Sequence, residues 1–428
     1  MASRQFPALT HLLTIALLAM TGGQVGAANL WPTFRGPSGD GVAPAQCKPP
    51  TKWSTTENIA FRTPLPGQGW SSPVVSENRI YLSAAIPQSE SGESDKKDTD
   101  FELSLLIIDR DSGELIKKVA LLDQPAEKAA KIHGKNSHAS PTPILYGDRL
   151  YVHFGYQGTC CVDLNGDLIW KNRNLFFKPV HGNGGTPIFV DNRLIFTCDG
   201  AKDPKVVALD ASTGKVAWEV ARPVDAPKKF SFCTPTLIHV QGQHQIIAPG
   251  SNCVLAIAPK TGDVIWQLEY TGYSVVPKPL FHNGNVILST SFDSPSMLSI
   301  DPTGNGDVTE THLQWTVKKN VPKTSSMIAH DGLIYSVSDN GVAMCVNAES
   351  GEIVYQKRLG GNFSASPVLA GDHIYFTDES GRTTVVKTGR QCTIVAENDL
   401  EERTLASMAV AGDSLIVRTA DALYRIAD

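Results

Sequence analysis

Eight short polar segments recur along the chain, and each directly precedes an apolar run typical of a β-strand. If those strands surround one axis, the polar side chains gather at one mouth of a central channel and form a ligand-binding site. Alternatively, they satisfy backbone groups where the strands enter the ring, which we favour for any single residue. The candidate ligand-binding residues are Trp70, His138, His181, Asn183, Lys229, Ser231, Tyr273, Lys323, Asn362 and Ser364.

Motifs for catalysis and metal binding are missing from the sequence. It contains neither a Gly-x-Ser-x-Gly nucleophile turn nor a Gly-x-x-x-x-Gly-Lys-Ser/Thr phosphate loop. His133 and His138 lack the partner spacing of a zinc site, and the other histidines are dispersed. We therefore assign no catalytic residue and expect no metal site.

The chain has eight cysteines, two of them adjacent at Cys160 and Cys161. Successive side chains of a strand point to opposite faces, so we favour two independent cysteines over a vicinal disulfide. Cys198, Cys253 and Cys345 also lie in strand-like apolar runs, where a cysteine behaves as a small buried hydrophobe. We favour mostly free, buried thiols over a disulfide framework.

The elements that position the candidate residues come from an internal repeat of about 40 to 54 residues. Its best copies are residues 208–218 and 256–266, which share Ala-x-[Asp/Ala]-x-x-Thr-Gly-x-x-x-Trp. This pattern predicts a strand, a tight turn with glycine at positive φ, and a returning strand that carries Trp218 or Trp266. A tryptophan that recurs once per unit can fill the gap between neighbouring units.

A second hairpin precedes each of these turns, and eight such starts occur, most of them with Ser-Pro or Thr-Pro. Two hairpins per unit predict an all-β, eight-bladed β-propeller of four-stranded antiparallel blades. The eighth unit lacks an outer strand, which we expect residues 58–62 to supply. The predicted organisation is a signal peptide over 1–28, an N-terminal extension over 29–57 and one propeller domain over 58–428.

The first 28 residues have the features of a secretory signal: Arg4, an apolar run over residues 12–20 and small residues up to Ala28. The run is shorter than the roughly 20 residues of a membrane span. We expect an exported protein, periplasmic or extracellular, without an integral membrane segment. The first cysteine is Cys47, so no lipid anchor is expected. A net charge of -5 with scattered basic residues argues against nucleic-acid partners.

The repeat units resemble the PQQ repeats of quinoprotein alcohol dehydrogenases and of the lipoprotein subunit of the outer-membrane β-barrel assembly machine. The chain as a whole resembles a bacterial group of exported PQQ-repeat propeller proteins. That resemblance rests on Trp-Pro-Thr-Phe-Arg-Gly at residues 31–36, Lys-Asn-Ser-His-Ala-Ser-Pro at 135–141 and Asn-Phe-Ser-Ala-Ser-Pro at 362–367.

Two functional hypotheses follow. The first is a non-catalytic scaffold that binds a protein, glycan or small-molecule ligand at the loop-rich face. The resemblance implies the second, a PQQ-dependent quinoprotein oxidoreductase of the alcohol or sugar dehydrogenase type, with PQQ and calcium in the channel mouth. Those enzymes are longer, and their calcium-binding carboxylate and catalytic aspartate have no counterpart that we can place here. We favour the scaffold and predict no cofactor.

Overall fold

A computed structural model describes residues 30–88 and 99–428, so the predicted signal peptide lies outside the described residues. The regular secondary structure of the described chain is almost entirely β-strand, and turns and loops connect the strands. Its helical segments are two single 3-10 turns, Ala126–Lys128 and Gly155–Gln157. Within the same part of the chain, no helix is long and apolar enough to cross a membrane.

The strands form eight sheets that follow one another along the chain, and we number these blades 1 to 8. From the innermost strand outwards, blades 1 to 4 comprise Val74–Val75, Arg79–Pro87, Phe101–Asp109 and Leu115–Gln124; Ile144–Tyr146, Arg149–His153, Thr159–Asp163 and Leu168–Asn172; Ile188–Val190, Arg193–Cys198, Lys205–Asp210 and Val216–Ala221; Thr236–Val240, Gln243–Pro249, Cys253–Ile257 and Val264–Glu269. Blades 5 to 8 comprise Leu280–His282, Asn285–Ser289, Met297–Ile300 and Leu313–Val317; Ile328–His330, Leu333–Val337, Val342–Asn347 and Ile353–Arg358; Val368–Ala370, His373–Thr377, Arg382–Lys387 and Thr393–Asp399; Ala409–Ala411, Ser414–Arg418, Ala422–Ile426 and Ile59–Pro64.

The ring closes between blades 8 and 1, whose innermost strands contact each other. The outer strand of blade 8 is Ile59–Pro64, which pairs antiparallel with Ala422–Ile426. The eight-bladed propeller and its N-terminal closing strand are therefore confirmed. One blade departs from four strands: Gly306–Asp307, an insertion in blade 5, adds in parallel to Val264–Glu269 of blade 4.

The repeated turn has the predicted chemistry. In blade 3 the Asp210 carboxylate accepts hydrogen bonds from the backbone N–H groups of Ser212 and Thr213, at 3.1 and 2.9 Å. Gly214 follows at φ +70°, a conformation that glycine adopts without strain. Hydrogen bonds within its own hairpin therefore hold the turn.

The repeated tryptophan does fill the gap between blades. The Nε1 of Trp218 donates a 2.9 Å hydrogen bond to the carbonyl oxygen of Pro259, in the turn of the next blade. Trp170 makes the same contact with Ala211, also at 2.9 Å. Trp266 differs because its Nε1 donates to Gln245 of its own blade.

All eight cysteines lie in the described chain, seven of them buried, and Cys160 and Cys161 are free thiols. Cys160 packs in the apolar cluster between blades 1 and 2, whereas Cys161 packs in the cluster between blades 2 and 3. Burial raises the pKa of the Cys160 thiol to about 12 and that of Cys161 to about 11. The prediction of mostly free, buried thiols, with Cys160 and Cys161 independent of each other, is confirmed.

Candidate functional site

A ring of serine and threonine hydroxyls joins the blades two residues before their innermost strands. In blades 1, 2, 3, 6 and 7 the backbone N–H of the member donates to the hydroxyl oxygen of the member in the next blade, at 2.9 to 3.0 Å. Lys278 occupies this position in blade 5, and its N–H continues the chain to Ser326 at 3.0 Å. We call this the hydroxyl ring: Ser72, Thr142, Thr186, Thr234, Ser326, Ser366 and Ser407.

A second ring lies two residues earlier in each blade. In extended chain, side chains two residues apart point to the same side, so both rings face the channel. All members of this second ring line one pocket. We call it the mouth ring: Trp70, Ser140, Gly184, Phe232, Val276, Thr324, Ser364 and Leu405.

The rings enclose a mouth pocket of about 660 Å³, to which every blade contributes lining residues. A volume of this size suits a small molecule or one segment of a larger ligand. Phe34 of the N-terminal extension also lines the pocket. The pocket is therefore a concave cavity, and the N-terminal extension forms part of its wall.

The N-terminal extension runs through the central channel and pairs with the innermost strands. Trp31 and Val75 of blade 1 exchange backbone hydrogen bonds of 3.0 and 2.9 Å. Farther along, Val42 forms a parallel bridge with Leu369 of blade 7. These contacts span the channel and hold Phe34 at the inner end of the mouth pocket.

Two buried cations anchor the extension. The Arg35 guanidinium donates to the carbonyl oxygens of Met327 and Pro367, at 2.7 and 3.1 Å. Lys278 donates from Nζ to the carbonyl oxygen of Gly39 at 2.7 Å. Burial lowers the pKa of Arg35 to about 10, and burial together with the nearby Arg35 charge lowers that of Lys278 to about 8.

An arc of aromatic side chains lines blades 2 to 5 of the mouth. His133, His181, Phe230, Tyr273 and Phe292 follow one another with ring-centroid separations of 5.5, 5.4, 5.7 and 6.4 Å. Edge-to-face contacts at such distances stabilise aromatic pairs. We call this set the aromatic arc. These side chains give one side of the pocket a continuous aromatic surface, whereas blades 6 to 8 contribute mainly hydroxyl groups.

The pocket lining is basic. It includes Lys135 and Lys228, and no aspartate or glutamate lines it within the described chain. The Lys228 ammonium lies 2.7 Å from the Tyr273 hydroxyl and 3.9 Å from the centre of that ring. Lys135 forms a 2.7 Å ion pair with Glu379, just outside the lining. Burial raises the pKa of Glu379, but hydrogen bonds from Lys135 and Ser364 outweigh it and lower the pKa.

A buried ion pair supports the wall beneath the aromatic arc. Arg222 Nη2 lies 2.7 Å from Asp199 Oδ2, and both side chains are at most 1 % exposed. The same guanidinium donates to the carbonyl oxygens of Ala248 and Pro249 in blade 4. The Asp199 carbonyl oxygen accepts from the Ser231 N–H at 3.2 Å. This pair therefore fixes the loop that carries Phe230.

Four of the ten predicted site residues line the mouth pocket: Trp70, His181, Tyr273 and Ser364. Lys323 lies beside it, with its ammonium 5.5 Å from the centre of the Phe292 ring. Lys229 is outside the lining and pairs with Asp225 at 2.8 Å. Asn362 is exposed, also outside the lining.

The remaining three predicted residues are buried, and their side chains satisfy internal groups. Asn183 donates to the Phe154 carbonyl oxygen at 2.9 Å, and Ser231 donates to that of Val275 at 3.1 Å. Burial lowers the pKa of His138 to about 4. For Asn183 and Ser231 the structure corrects the sequence prediction, because extended chain places their side chains on the face opposite the channel. His138 lies in a turn rather than in extended chain, and its ring packs against Phe101 with centroids 4.9 Å apart instead of facing the channel.

Sequence analysis located the right segments but missed Phe34, Lys228, Phe230 and Phe232. A usable signal was present: counting back in twos from the Ser/Thr-Pro dipeptides reaches the mouth ring. In blade 4, that count runs from Thr234 through the two phenylalanines to Lys228. No comparable signal places Phe34, because its position depends on long-range pairing of the extension.

The chain matches the PQQ-repeat family profile described as "Outer membrane protein assembly factor BamB" over residues 102–311 and 299–426. Outer membrane protein assembly factor BamB of Yersinia pestis is 21 % identical over 271 residues, which cover 50 % of this chain and 67 % of that protein. Its Salmonella typhimurium counterpart is 24 % identical over 293 residues, covering 56 % and 72 %.

Two solved structures show the same fold. BamB from Moraxella catarrhalis superposes with a TM-score of 0.51 at 14 % identity, over 66 % of this chain and 80 % of that one. A europium-containing methanol dehydrogenase superposes with a TM-score of 0.65 at 10 % identity, over 92 % and 90 %. At these identities the likeness extends to the fold alone.

The described residues do not fit the calcium and PQQ environment that the quinoprotein resemblance implies. Calcium takes six to eight oxygen ligands, largely carboxylates. The described part of the pocket lining offers no carboxylate. Residues 30–88 and 99–428 contain no group of three or more His, Cys, Asp and Glu side chains placed to hold a metal ion. Cys160 and Cys161 lie in separate clusters away from the pocket.

Proposed function

The chain belongs to the PQQ-repeat family of the outer membrane protein assembly factor BamB, and from this membership we propose that it is an exported, non-catalytic scaffold that binds a ligand in the mouth pocket. The name of its relatives supports a role in assembly or binding rather than in chemistry. Export, to the periplasm or the extracellular space, fits the signal-like first 28 residues.

The observation that carries this proposal is the composition of the mouth pocket. Its lining combines aromatic side chains, hydroxyl groups and two lysines in a volume of about 660 Å³, and all eight blades contribute to it. Such a concave site with a few polar groups suits binding. Partner protein, glycan and small molecule all remain within the scaffold proposal.

A titration with the anionic fluorophore 8-anilinonaphthalene-1-sulfonate tests the binding site. Its rings match the aromatic arc, and its sulfonate matches Lys135 and Lys228. Val276→Trp, in the mouth ring, fills the pocket, whereas Val264→Trp makes the same exchange at an exposed position of blade 4. We expect one-to-one binding by the wild type and by Val264→Trp, and its loss in Val276→Trp. Equal binding by all three proteins contradicts the proposal.

The quinoprotein alternative is tested separately by adding PQQ and calcium and measuring dye-linked oxidation of alcohols and sugars. The scaffold proposal predicts no PQQ-dependent turnover. Turnover that Val276→Trp abolishes would replace the scaffold with the oxidoreductase.

A further inference from the structure

A side groove continues outward from the mouth pocket between blades 2 and 3. It has a volume of about 520 Å³ and is lined by residues 128–131, Tyr156, Phe176 and residues 178–181. His181 lines both cavities, so they meet at this residue. The two cavities therefore lie side by side at His181, and a ligand long enough to cross this residue can contact both.

The side groove carries the same chemistry as the mouth pocket. Its lining includes Lys128, Lys131 and Lys178, and no aspartate or glutamate from the described chain. Phe176 is 77 % exposed, the largest exposure of any large hydrophobic side chain in the described residues, and meets Tyr156 edge-to-face at 6.5 Å. The groove therefore offers a ligand one exposed aromatic face and three positive charges.

We propose that the mouth pocket and the side groove together bind one linear anionic polysaccharide, a chain of uronic acid residues that crosses His181. This inference rests on the proposed function and names its ligand class. Lysines of the two cavities pair with the carboxylates of successive sugars, and the aromatic faces contact the sugar rings. A chain is required because a single sugar cannot reach both cavities.

The backbone around the two cavities argues for a glycan over an acidic peptide. An extended peptide is recognised mainly through main-chain hydrogen bonds to free N–H and C=O groups. Here the His181 carbonyl oxygen already accepts from the His133 N–H, and the Lys178 carbonyl oxygen accepts from that of Ala201. The Ala130 N–H donates to the Tyr156 hydroxyl at 2.7 Å. These three backbone groups are thus already engaged within the protein, which favours a ligand bound through side chains.

Calorimetric titration with an oligogalacturonate and with monomeric galacturonate tests the proposal. The groove variant carries Phe176→Ala and Lys178→Gln. Its matched control carries Tyr146→Ala and Lys260→Gln, both exposed on the opposite, hairpin-turn face. We expect the groove variant to bind the oligomer about tenfold more weakly or worse, with monomer binding unchanged, and the control to match the wild type.

Three comparisons decide the outcome. Fully methyl-esterified galacturonan, the same chain without charge, is expected to bind at least about tenfold more weakly. Equal binding overturns the claim that lysines recognise the carboxylates of the sugar chain. Tighter binding of oligoglutamate overturns the glycan in favour of a peptide. One outcome is that the groove variant binds the oligogalacturonate as tightly as the control does, while Val276→Trp loses binding of the naphthalene fluorophore. In that case the extended site is contradicted and the mouth-pocket scaffold is supported. If Val276→Trp still binds both the oligogalacturonate and the fluorophore, the extended site and the proposed function are both contradicted.

Discussion

The indole of Trp218 in blade 3 covers Gly262 in blade 4 so closely that a Cβ added to this glycine would lie 2.9 Å from the indole Cδ2. Gly262 also has φ +82°. The Thr-Gly turn of one blade is thus the docking surface for the tryptophan of the preceding blade. This contact explains why the two features recur together in the sequence repeat.

Replacement of Trp218 by alanine should therefore cost about 3 to 5 kcal/mol in free energy of unfolding, since a largely buried indole leaves a cavity between blades. Urea titration followed by circular dichroism measures this loss. A cost below about 1 kcal/mol would mean that the indole contributes little to the interface.

Gly262→Ala should cost more than Gly284→Ala, although both glycines have φ +82°. Left-handed backbone costs an alanine about 1 to 2 kcal/mol at either position. Only at Gly262 does the added methyl meet a side chain, because Gly284 has no atom within 4 Å. In the Trp218→Ala background the difference between the two costs should shrink in urea titrations, because only the Cβ at position 218, 3.2 Å from the added methyl, remains. An undiminished difference argues against the contact with the indole as its cause.

Arg222→Met should destabilise the protein by about 3 to 5 kcal/mol, because it leaves the Asp199 carboxylate buried without its partner. Adding Asp199→Leu to this variant should recover much of the loss, since the uncompensated charge is then removed. Thermal unfolding of the single and double variants measures both effects. A double variant no more stable than Arg222→Met contradicts this account of the ion pair.

Affinity for the naphthalene sulfonate should rise as the pH falls, because protonation of His181 adds a positive charge to the pocket. Burial, together with the nearby charges of His133 and Lys131, lowers the pKa of His181 below its usual 6.5, so the midpoint of the rise should lie below that pH. The sulfonate stays ionised throughout. His181→Gln should flatten the profile relative to His133→Gln, and an unchanged profile in His181→Gln contradicts the assignment.

Arg35→Met should weaken both stability and ligand binding, because this side chain ties the extension to Met327 and Pro367 and its neighbour Phe34 lines the pocket. Each hydrogen bond from a charged donor contributes about 1.5 to 3 kcal/mol. Arg149→Met, at a partly exposed surface position, is the control and should stay within about 0.5 kcal/mol of the wild type. Full stability and unaltered fluorophore affinity in Arg35→Met would mean that the extension does not close the pocket.

The fold was predictable because each repeat encodes its blade locally. The Asp210 turn, the Ser-Pro strand starts and the recurring tryptophans all act within one unit or between neighbours. Even the closing strand followed from counting, since the eighth unit ended one strand short. The parallel addition of Gly306–Asp307 to blade 4 was not predictable, because it lies in an irregular insertion within blade 5.

The site was only partly predictable, because the direction of a loop side chain depends on where strand alternation begins and stops. His181 and Ser274 have φ +65° and +56°, which interrupts the alternation in two of the loops. Trp70 and Ser364 fell on the correct side, whereas Ser231 fell one residue away from Phe230 and Phe232. Threading of the extension through the channel depends on contacts with distant blades, which no local pattern encodes.

The position of a bound ligand tests the central claim most directly, and a crystal structure of the protein with 8-anilinonaphthalene-1-sulfonate measures it. The account predicts the ring system against the aromatic arc, within contact of Phe34 or Phe232, and the sulfonate beside Lys228 or Lys135. Ligand found on the hairpin-turn face or between the outer strands, with the mouth pocket empty, would contradict it.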